Sequence, residues 1–229
     1  MTEIDDVTRS YPKITMKELI GLSNWKRNIY AVKIGWNVKK GRPLLKPMVK
    51  LVANMHGDER LGLEMMVVFI RQVVELIMVW LNKFCFRYLT LNYGVDERVT
   101  KIINNIELSI VPTLNPDKVG FQRENDNGVD LNRAFPTWKD LGKSLDELKE
   151  GREVEVKAMI EWTMKNPFVL SVNFHDGAVV VNYPWDDEDV EPWSKSDLFM
   201  EGDDDKTPED EMFKQLSLTY AENHKTMQK

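Results

Sequence analysis

Short apolar runs recur along the chain, and most are rich in β-branched and aromatic residues, which is typical of β-strands. Strands are predicted at residues 27–36, 49–55, 106–114, 168–174 and 178–183. The runs at 49–55, 106–114 and 168–174 contain few polar side chains, which predicts buried strands. We expect the strands at 27–36 and 49–55 to pair with each other.

Other stretches place apolar side chains on one face of a helix. A helix is predicted directly after the second strand, because apolar residues from Leu61 to Phe69 recur at helical spacing. Residues 73–87 are apolar almost all round, which by itself indicates a longer buried helix. Further helices are predicted at residues 97–105, at residues 152–165 and from Thr207 onward. Together these elements predict an α/β fold, in which ligands bind beyond the carboxyl ends of the strands.

Two of the three histidines directly follow predicted strands. His56 and Glu59 lie three residues apart in the turn after the strand at 49–55, and His175 follows the strand at 168–174. Two imidazoles and one carboxylate form the ligand set of many catalytic zinc sites, where a fourth position stays open for water. The spacing alone fits two polar turn histidines equally well. His224, near the C-terminal end, is given no role.

The loop that follows the strand at 106–114 supplies candidate positive groups. Arg133 offers a planar guanidinium that can bind a carboxylate through two hydrogen bonds, and Asn132 beside it can add a donor. Arg123 could face the negative charge that develops on a carbonyl oxygen. Asp186 could pair with a cationic side chain. Taken alone, these side chains fit solvated surface positions better than a binding site.

Composition narrows the class of protein. The chain has 229 residues, of which 42% are hydrophobic and 30% charged, as in an ordinary soluble globular protein. Its net charge of −6 argues against a nucleic-acid-binding face and is compatible with cationic substrates. Cys85 is the only cysteine, so an intrachain disulfide is excluded. Charged residues interrupt the apolar region 65–86, so we predict no transmembrane helix, and the N-terminus lacks the pattern of a secretory signal.

Several motifs, taken in chain order, resemble one family. They are residues 54–59 (NMHGDE), 112–117 (PTLNPD), 128–136 (GVDLNRAFP) and 183–186 (YPWD). This ordered set resembles the zinc metallocarboxypeptidases. Residues 168–175 and 183–186 point to the regulatory branch, which includes carboxypeptidases D, E, M and N. The resemblance runs from about Tyr11 to the end of the chain.

The resemblance implies a fold, an activity and a metal. The fold would be a mixed, twisted α/β sheet flanked by helices. The activity would be the hydrolytic release of C-terminal Lys or Arg from peptides or proteins. One Zn²⁺ ion would be held by His56, Glu59 and His175. By the same resemblance, the expected location is extracellular or in the secretory pathway.

The resemblance also implies roles for the substrate-binding residues. Arg123 is similar to the arginine that polarises the scissile carbonyl. Asn132 and Arg133 are similar to the clamp on the substrate's terminal carboxylate, and Asp186 to the aspartate that helps to select basic side chains. A different zinc hydrolase with the same ligand spacing, such as an acylase acting on small amides, is disfavoured by Asn132-Arg133 and by the motif at 183–186.

The chain departs from the family pattern in three places. No residue matches the general-base glutamate or the substrate-capping tyrosine, which follow the last predicted helix in the family. We therefore expect residues 1–229 to form one partial catalytic domain, without the β-sandwich domain of this branch, and we expect cleavage to be impaired. Residues 73–87 match nothing in the pattern and predict an insert, and the loop after residues 115–117 is shortened. The alternative is a non-catalytic module that binds zinc or a peptide.

Overall fold

A five-stranded mixed sheet forms the centre of the structure, in the order β1-β2-β4-β3-β5. The computed structural model describes residues 2–12, 14–35, 38–40, 45–81, 101, 104–184 and 206–227. The strands are β1 Thr15–Leu22, β2 Asn28–Ile34, β3 Met48–Ala53, β4 Glu107–Val111 and β5 Phe168–Phe174. β1, β2 and β4 are antiparallel neighbours, whereas β3 is parallel to both β4 and β5. The expected mixed α/β fold is confirmed.

Five α-helices with defined bounds lie in the described ranges. They are α1 Thr2–Ser10, α2 Arg60–Leu81, α3 Leu145–Lys149, α4 Val154–Lys165 and α5 Asp210–Glu222. Short 3₁₀ helices span Val38–Lys40, Leu131–Arg133 and Trp138–Asp140. None of the described helices is long and apolar enough to cross a bilayer.

The chain divides into two compact units. The first comprises Met1–Ala134 and Leu145–Asp176, and it contains the whole sheet and helices α1 to α4. The second comprises Phe135–Ser144 and Gly177–Lys229, and it contains α5. In the part of the chain that the structure describes, all residues of the candidate site belong to the first unit.

The core of the first unit lies where α1 and α2 pack on one face of the sheet. Val32 and Ile34 of β2 point into it, together with Met66 and Ile70 of α2. Successive strand residues point to opposite faces, so Lys33 belongs to the other face. There its ammonium lies 3.5 Å from Asn166, just after α4, and Lys50 of β3 donates a hydrogen bond to Thr163 of α4. Helix α4 therefore covers the second face.

The predicted pairing of the strands at 27–36 and 49–55 is wrong. β4 lies between them, because β2 pairs antiparallel with β4 and β3 pairs parallel with the other edge of β4. The second edge of β3 is taken by β5. Both edges of β3 are therefore occupied by parallel partners. β2 pairs instead with β4 and with β1, and β1 is a strand that the sequence pattern does not predict.

Two further expectations differ from the structure. Residues 178–183 form no strand, and Val179 and Val180 are more than half exposed, since no neighbouring strand among the described residues pairs with them. The strand at 168–174 was expected to be buried, but β5 lies at one end of the sheet order and Val169 is 69% exposed. An apolar run predicts a strand, but it does not say how many neighbours that strand has.

Some predictions fall on residues that are not described. Asp186 and Cys85 lie outside the described ranges, as does most of the helix expected at 97–105. Helix α2 continues to Leu81, which covers the first nine residues of the segment 73–87. Whether that segment is an insert stays a prediction.

Candidate metal centre

The topology brings two strand ends together. β3 and β5 are parallel neighbours, and Ala53 at the end of β3 is paired with Phe174 at the end of β5. The residues that follow these ends, His56 on one side and His175 on the other, therefore emerge at the same edge of the sheet. This is the edge at which α/β proteins bind ligands.

Asn54 organises the turn that carries His56 and Glu59. It is fully buried and has a φ of 49°, a left-handed conformation that asparagine tolerates better than most residues. Its amide nitrogen donates to the carbonyl oxygens of His56 (2.8 Å), Gly57 (3.2 Å) and Glu59 (3.0 Å), and its oxygen accepts from Thr113. Asn54 belongs to the motif at 54–59, but no local sequence pattern indicates this role. One buried side chain thus holds the whole turn.

Gly57 lets a second loop approach this turn closely. A Cβ at this position would lie 2.5 Å from the carbonyl oxygens of both Lys118 and Gln122, so only glycine fits. The backbone of Gly57 donates to the carbonyl of Arg123 at 3.1 Å and accepts from Gly120 at 2.7 Å. The loop that carries Arg123 is therefore fixed directly against the turn that carries His56.

Three side chains converge on one point. The Nδ1 atom of His56 lies 2.6 Å from one carboxylate oxygen of Glu59, and Nδ1 of His175 lies 2.7 Å from the other. The two Nδ1 atoms are 3.2 Å apart, and each of the three residues offers a ligand atom within 4.8 Å of the others. His56 and Glu59 are buried, whereas the side chain of His175 is 31% exposed. The group is thus covered by protein at His56 and Glu59 and open to solvent at His175.

This donor set fits a zinc ion. Ligand atoms about 2.0–2.2 Å from a tetrahedral zinc lie roughly 3.3 Å from one another. The Nδ1 atoms of His56 and His175, at 3.2 Å, have this separation, and two imidazoles with one carboxylate match a catalytic set that keeps a position open. The carboxylate oxygens of Glu59 lie 2.6 and 2.7 Å from these two nitrogens, which is hydrogen-bond distance, so the fit to zinc rests on the donor types and on the separation of the two Nδ1 atoms.

Asp130 completes the site behind His56. One of its oxygens lies 3.0 Å from Nε2 of His56 and accepts the backbone N–H of Asn132, and the other accepts from Nε of Arg123. Burial opposes ionisation of Asp130, but the Asn132 N–H, the neighbouring His56 ring and the Arg123 guanidinium together outweigh it, and the pKa of Asp130 is lowered. The carboxylate therefore favours the tautomer with a proton on Nε2 of His56, which leaves Nδ1 free to bind a metal.

Sequence reasoning missed Asp130. It lies inside the quoted motif at 128–136, two residues before Asn132, but a single aspartate in a loop has no distinguishing pattern. Its role comes from a contact with a residue 74 positions earlier in the chain.

The substrate-binding candidates lie on the same loop. Nη1 of Arg123 is 3.5 Å from Glu59, and the side chain is 40% exposed, so the guanidinium lies beside the three-residue group and faces outward. Asn132 and Arg133 form the 3₁₀ helix Leu131–Arg133, which Asp130 caps. The structure thus joins Arg123 and Asn132 to His56 through Asp130. Arg133, in contrast, is exposed, and its guanidinium contacts the carbonyl of Asn132.

Comparisons with known proteins point to one family. The family profile of the zinc carboxypeptidases matches residues 1–229. Carboxypeptidase D of Drosophila melanogaster is 32% identical over 234 residues, which cover 96% of this chain and 15% of that protein. Carboxypeptidase M of Mus musculus is 31% identical over 99% of this chain and 47% of its own length. The chain belongs to the zinc carboxypeptidase family and spans less than half the length of these two relatives.

Solved structures show the same fold. Carboxypeptidase A from Helicoverpa armigera superposes with a TM-score of 0.62 at 17% identity, over 96% of this chain and 51% of that chain. Bovine thrombin-activatable fibrinolysis inhibitor, solved in complex with tick carboxypeptidase inhibitor, gives a TM-score of 0.54 at 22% identity, over 80% of this chain and 61% of that chain. At these identities the likeness concerns the fold alone.

Proposed function

We propose that this chain binds one Zn²⁺ ion through His56, Glu59 and His175 and acts in the hydrolytic release of C-terminal Lys or Arg from peptides. The observation that supports this most is the convergence of the three ligand atoms, within 4.8 Å of one another, at the shared end of β3 and β5. Family membership supports zinc as the metal. The same resemblance supports a location in the secretory pathway or outside the cell as part of this proposal.

The chemistry follows from the positions of the side chains. A bound zinc supplies Lewis acidity, which polarises a carbonyl and lowers the pKa of water towards ~7. Asp130 holds His56 in the tautomer that can bind the metal. Arg123, beside Glu59 and partly exposed, is placed to stabilise negative charge on the oxygen of a scissile carbonyl.

Recognition of the peptide end is assigned to the same loop. Asn132 and Arg133 would bind the terminal carboxylate, since a guanidinium and an amide together offer several donors to it. Asp186, by resemblance, would select a basic side chain. The net charge of −6 is compatible with a cationic ligand.

A second candidate is a module that binds zinc and peptide ends without cleaving them. Among the residues that the structure describes, the two carboxylates that reach the site are already engaged: Glu59 contacts both histidines, and Asp130 contacts His56 and Arg123. Neither of these two is placed to act as a general base, which hydrolysis requires.

One assay tests both candidates. The purified chain is incubated with zinc and with peptides that end in Arg, Lys or Leu, and each peptide is also supplied as its C-terminal amide. Release of Arg and Lys that a chelator abolishes, with Leu and the amides untouched, is the result expected of the enzyme. Binding of the free-carboxylate peptides without release identifies the module. Equal binding of acid and amide forms would contradict both.

A further inference from the structure

A cluster of amide and carboxylate side chains, two of them buried, lies next to the loop that carries the substrate-binding candidates. It consists of Asn24, Asn125, Asn127, Glu153 and Glu155, and we call it the asparagine–glutamate anchor. Asn125 and Glu155 are both fully buried. Fully buried glutamates are rare unless they are paired, so the cluster requires a reason.

Asn125 is the hub of the anchor. Its amide nitrogen donates to Glu153 at 2.7 Å and lies 3.4 Å from a carboxylate oxygen of Glu155. Its side-chain oxygen accepts the backbone N–H groups of Asn127 at 3.1 Å and of Val129 at 3.0 Å. Both ends of one side chain are therefore used: one end shapes the turn at 125–129, and the other ties this turn to the start of α4.

The two glutamates are held in different ways. Burial is the largest influence on Glu155 and raises its pKa, although hydrogen bonds from Asn24 and Asn125 oppose the effect. Burial also acts against ionisation of Glu153, but hydrogen bonds from Asn125, Asn127 and Asn24 outweigh it and lower the pKa. Glu153 also caps the N-terminus of α4 by position. Three asparagines thus bind to the first residues of one rigid helix.

The turn held in this way leads directly to the site. Val129, whose N–H binds Asn125, is followed by Asp130, which contacts His56, Arg123 and the backbone of Asn132. Asn125 and the residues proposed to bind the peptide carboxylate therefore belong to the same short segment of the chain, residues 125–133.

We propose that Asn125 is a positioning residue: by fixing the turn at 125–129 to α4, it sets where Asp130, Asn132 and Arg133 lie and so determines the affinity for a peptide's terminal carboxylate. The expected effect on peptide affinity rests on the proposed function. Its structural part, that Asn125 orders this loop, stands without it. Asn125 itself touches neither the metal ligands nor the proposed clamp residues in any contact described above.

Three variants of the zinc-loaded chain test the proposal. Asn125→Ala removes both ends of the hub. Glu155→Gln keeps an oxygen acceptor of the same shape and is the conservative comparison. Trp162→Phe is the matched control, because Trp162 is a buried residue of the same helix whose indole donates to Glu18, away from the loop. Calorimetry with an Arg-terminated tripeptide and its amide measures the binding, and backbone amide exchange of residues 126–133 measures the order of the loop.

Asn125→Ala is expected to weaken binding of the acid form by about tenfold or more, since several hydrogen bonds are lost, and to abolish the preference for acid over amide. Amide exchange at 126–133 should rise, while Glu155→Gln and Trp162→Phe bind within about threefold of the natural chain. Unchanged exchange in Asn125→Ala, or a loss of binding in Trp162→Phe as large as in Asn125→Ala, would overturn the inference. If the natural chain itself does not distinguish acid from amide, the proposed function fails, and the exchange data alone decide whether Asn125 orders the loop.

Discussion

At the scale of single residues, His56 is held at both ring nitrogens. Nδ1 faces Glu59 and His175, and Nε2 faces Asp130. A histidine fixed on one side by a carboxylate presents a defined lone pair on the other, which strengthens metal binding. If the proposed zinc site holds, Asp130 should therefore contribute to zinc affinity through its contact with His56, although it is not one of the proposed ligands.

Asp130→Asn should weaken zinc binding by roughly 10- to 100-fold, because the amide keeps the shape but loses the charge that orients His56 and raises its basicity. A competition titration against a chromogenic chelator measures the change. Asp126→Asn is the matched control, since Asp126 pairs with Lys118 in the same loop. Equal zinc affinity for the Asp130→Asn and natural chains would show that the contact has no influence on the metal.

Gly57→Ala should destabilise the fold by about 2 kcal/mol or more, because the added methyl group meets two backbone carbonyls that cannot move independently. Gly142→Ala is a useful comparison. Gly142 has a φ of 85° with nothing within 4 Å, so alanine there costs only backbone strain, of order 1 kcal/mol. Urea denaturation of both variants gives the difference. A smaller loss for Gly57→Ala than for Gly142→Ala would contradict the close approach of the two loops.

At the scale of elements, α4 joins the sheet to the loop that carries the site. Its residues Val156, Met159 and Trp162 are buried, and its first turn receives the asparagine–glutamate anchor. Glu155 has a raised pKa, so the folded state holds its proton more tightly than the unfolded state does. Its contribution to stability is therefore largest below the unfolded pKa and is lost as the pH rises through the folded pKa.

Glu155→Gln should accordingly gain stability relative to the natural chain as the pH rises from acidic to neutral. The gain is limited to about 1.4 kcal/mol for each unit by which the pKa of Glu155 in the folded state exceeds its pKa in the unfolded state. Denaturant unfolding of both chains at several pH values measures it, and the comparison cancels the titration of all other groups. A difference in unfolding free energy that stays constant with pH would contradict the raised pKa of Glu155.

Much of the element order could be predicted from apolar runs, and the exceptions have physical causes. β2, β3, β4 and β5 are apolar enough to be recognised. β1 was missed because Lys17 and Glu18 interrupt its pattern and its register shifts between Leu19 and Gly21. The pairing of β2 was predicted wrongly because sheet order depends on contacts across the whole chain.

The same limit applies to the site. The convergence of His56, Glu59 and His175 could be predicted because imidazoles at strand ends stand out in a sequence with three histidines. Asn54 and Asn125 act through backbone groups and buried partners, so their roles follow from the folded geometry and not from any local pattern. Polar residues of this kind are common in exposed loops, where they have no such role.

At the scale of the whole molecule, β5 forms one end of the sheet order. Among the described residues it pairs with β3 only, and Val169 and Leu170 are exposed. A strand edge with apolar side chains promotes association between copies of a chain.

Val169→Lys should reduce self-association, since a charge on an edge strand opposes strand-to-strand contact. Light scattering as a function of concentration measures the effect. Val179→Lys adds the same charge at an exposed position outside the strands and should change association less. An equal reduction in both variants would point to net charge, and not to the edge of β5, as the cause.

The account depends most directly on whether His56, Glu59 and His175 together hold one zinc ion. Metal analysis of the purified chain after dialysis is expected to give one zinc per chain. It should give essentially none for His175→Ala, because a three-residue site loses an essential ligand. His224→Ala removes the third histidine of the sequence, which lies outside the site and whose ring contacts Thr226. This variant should retain the ion. Unchanged zinc content in His175→Ala, or an equal loss in His224→Ala, would contradict the proposed metal centre.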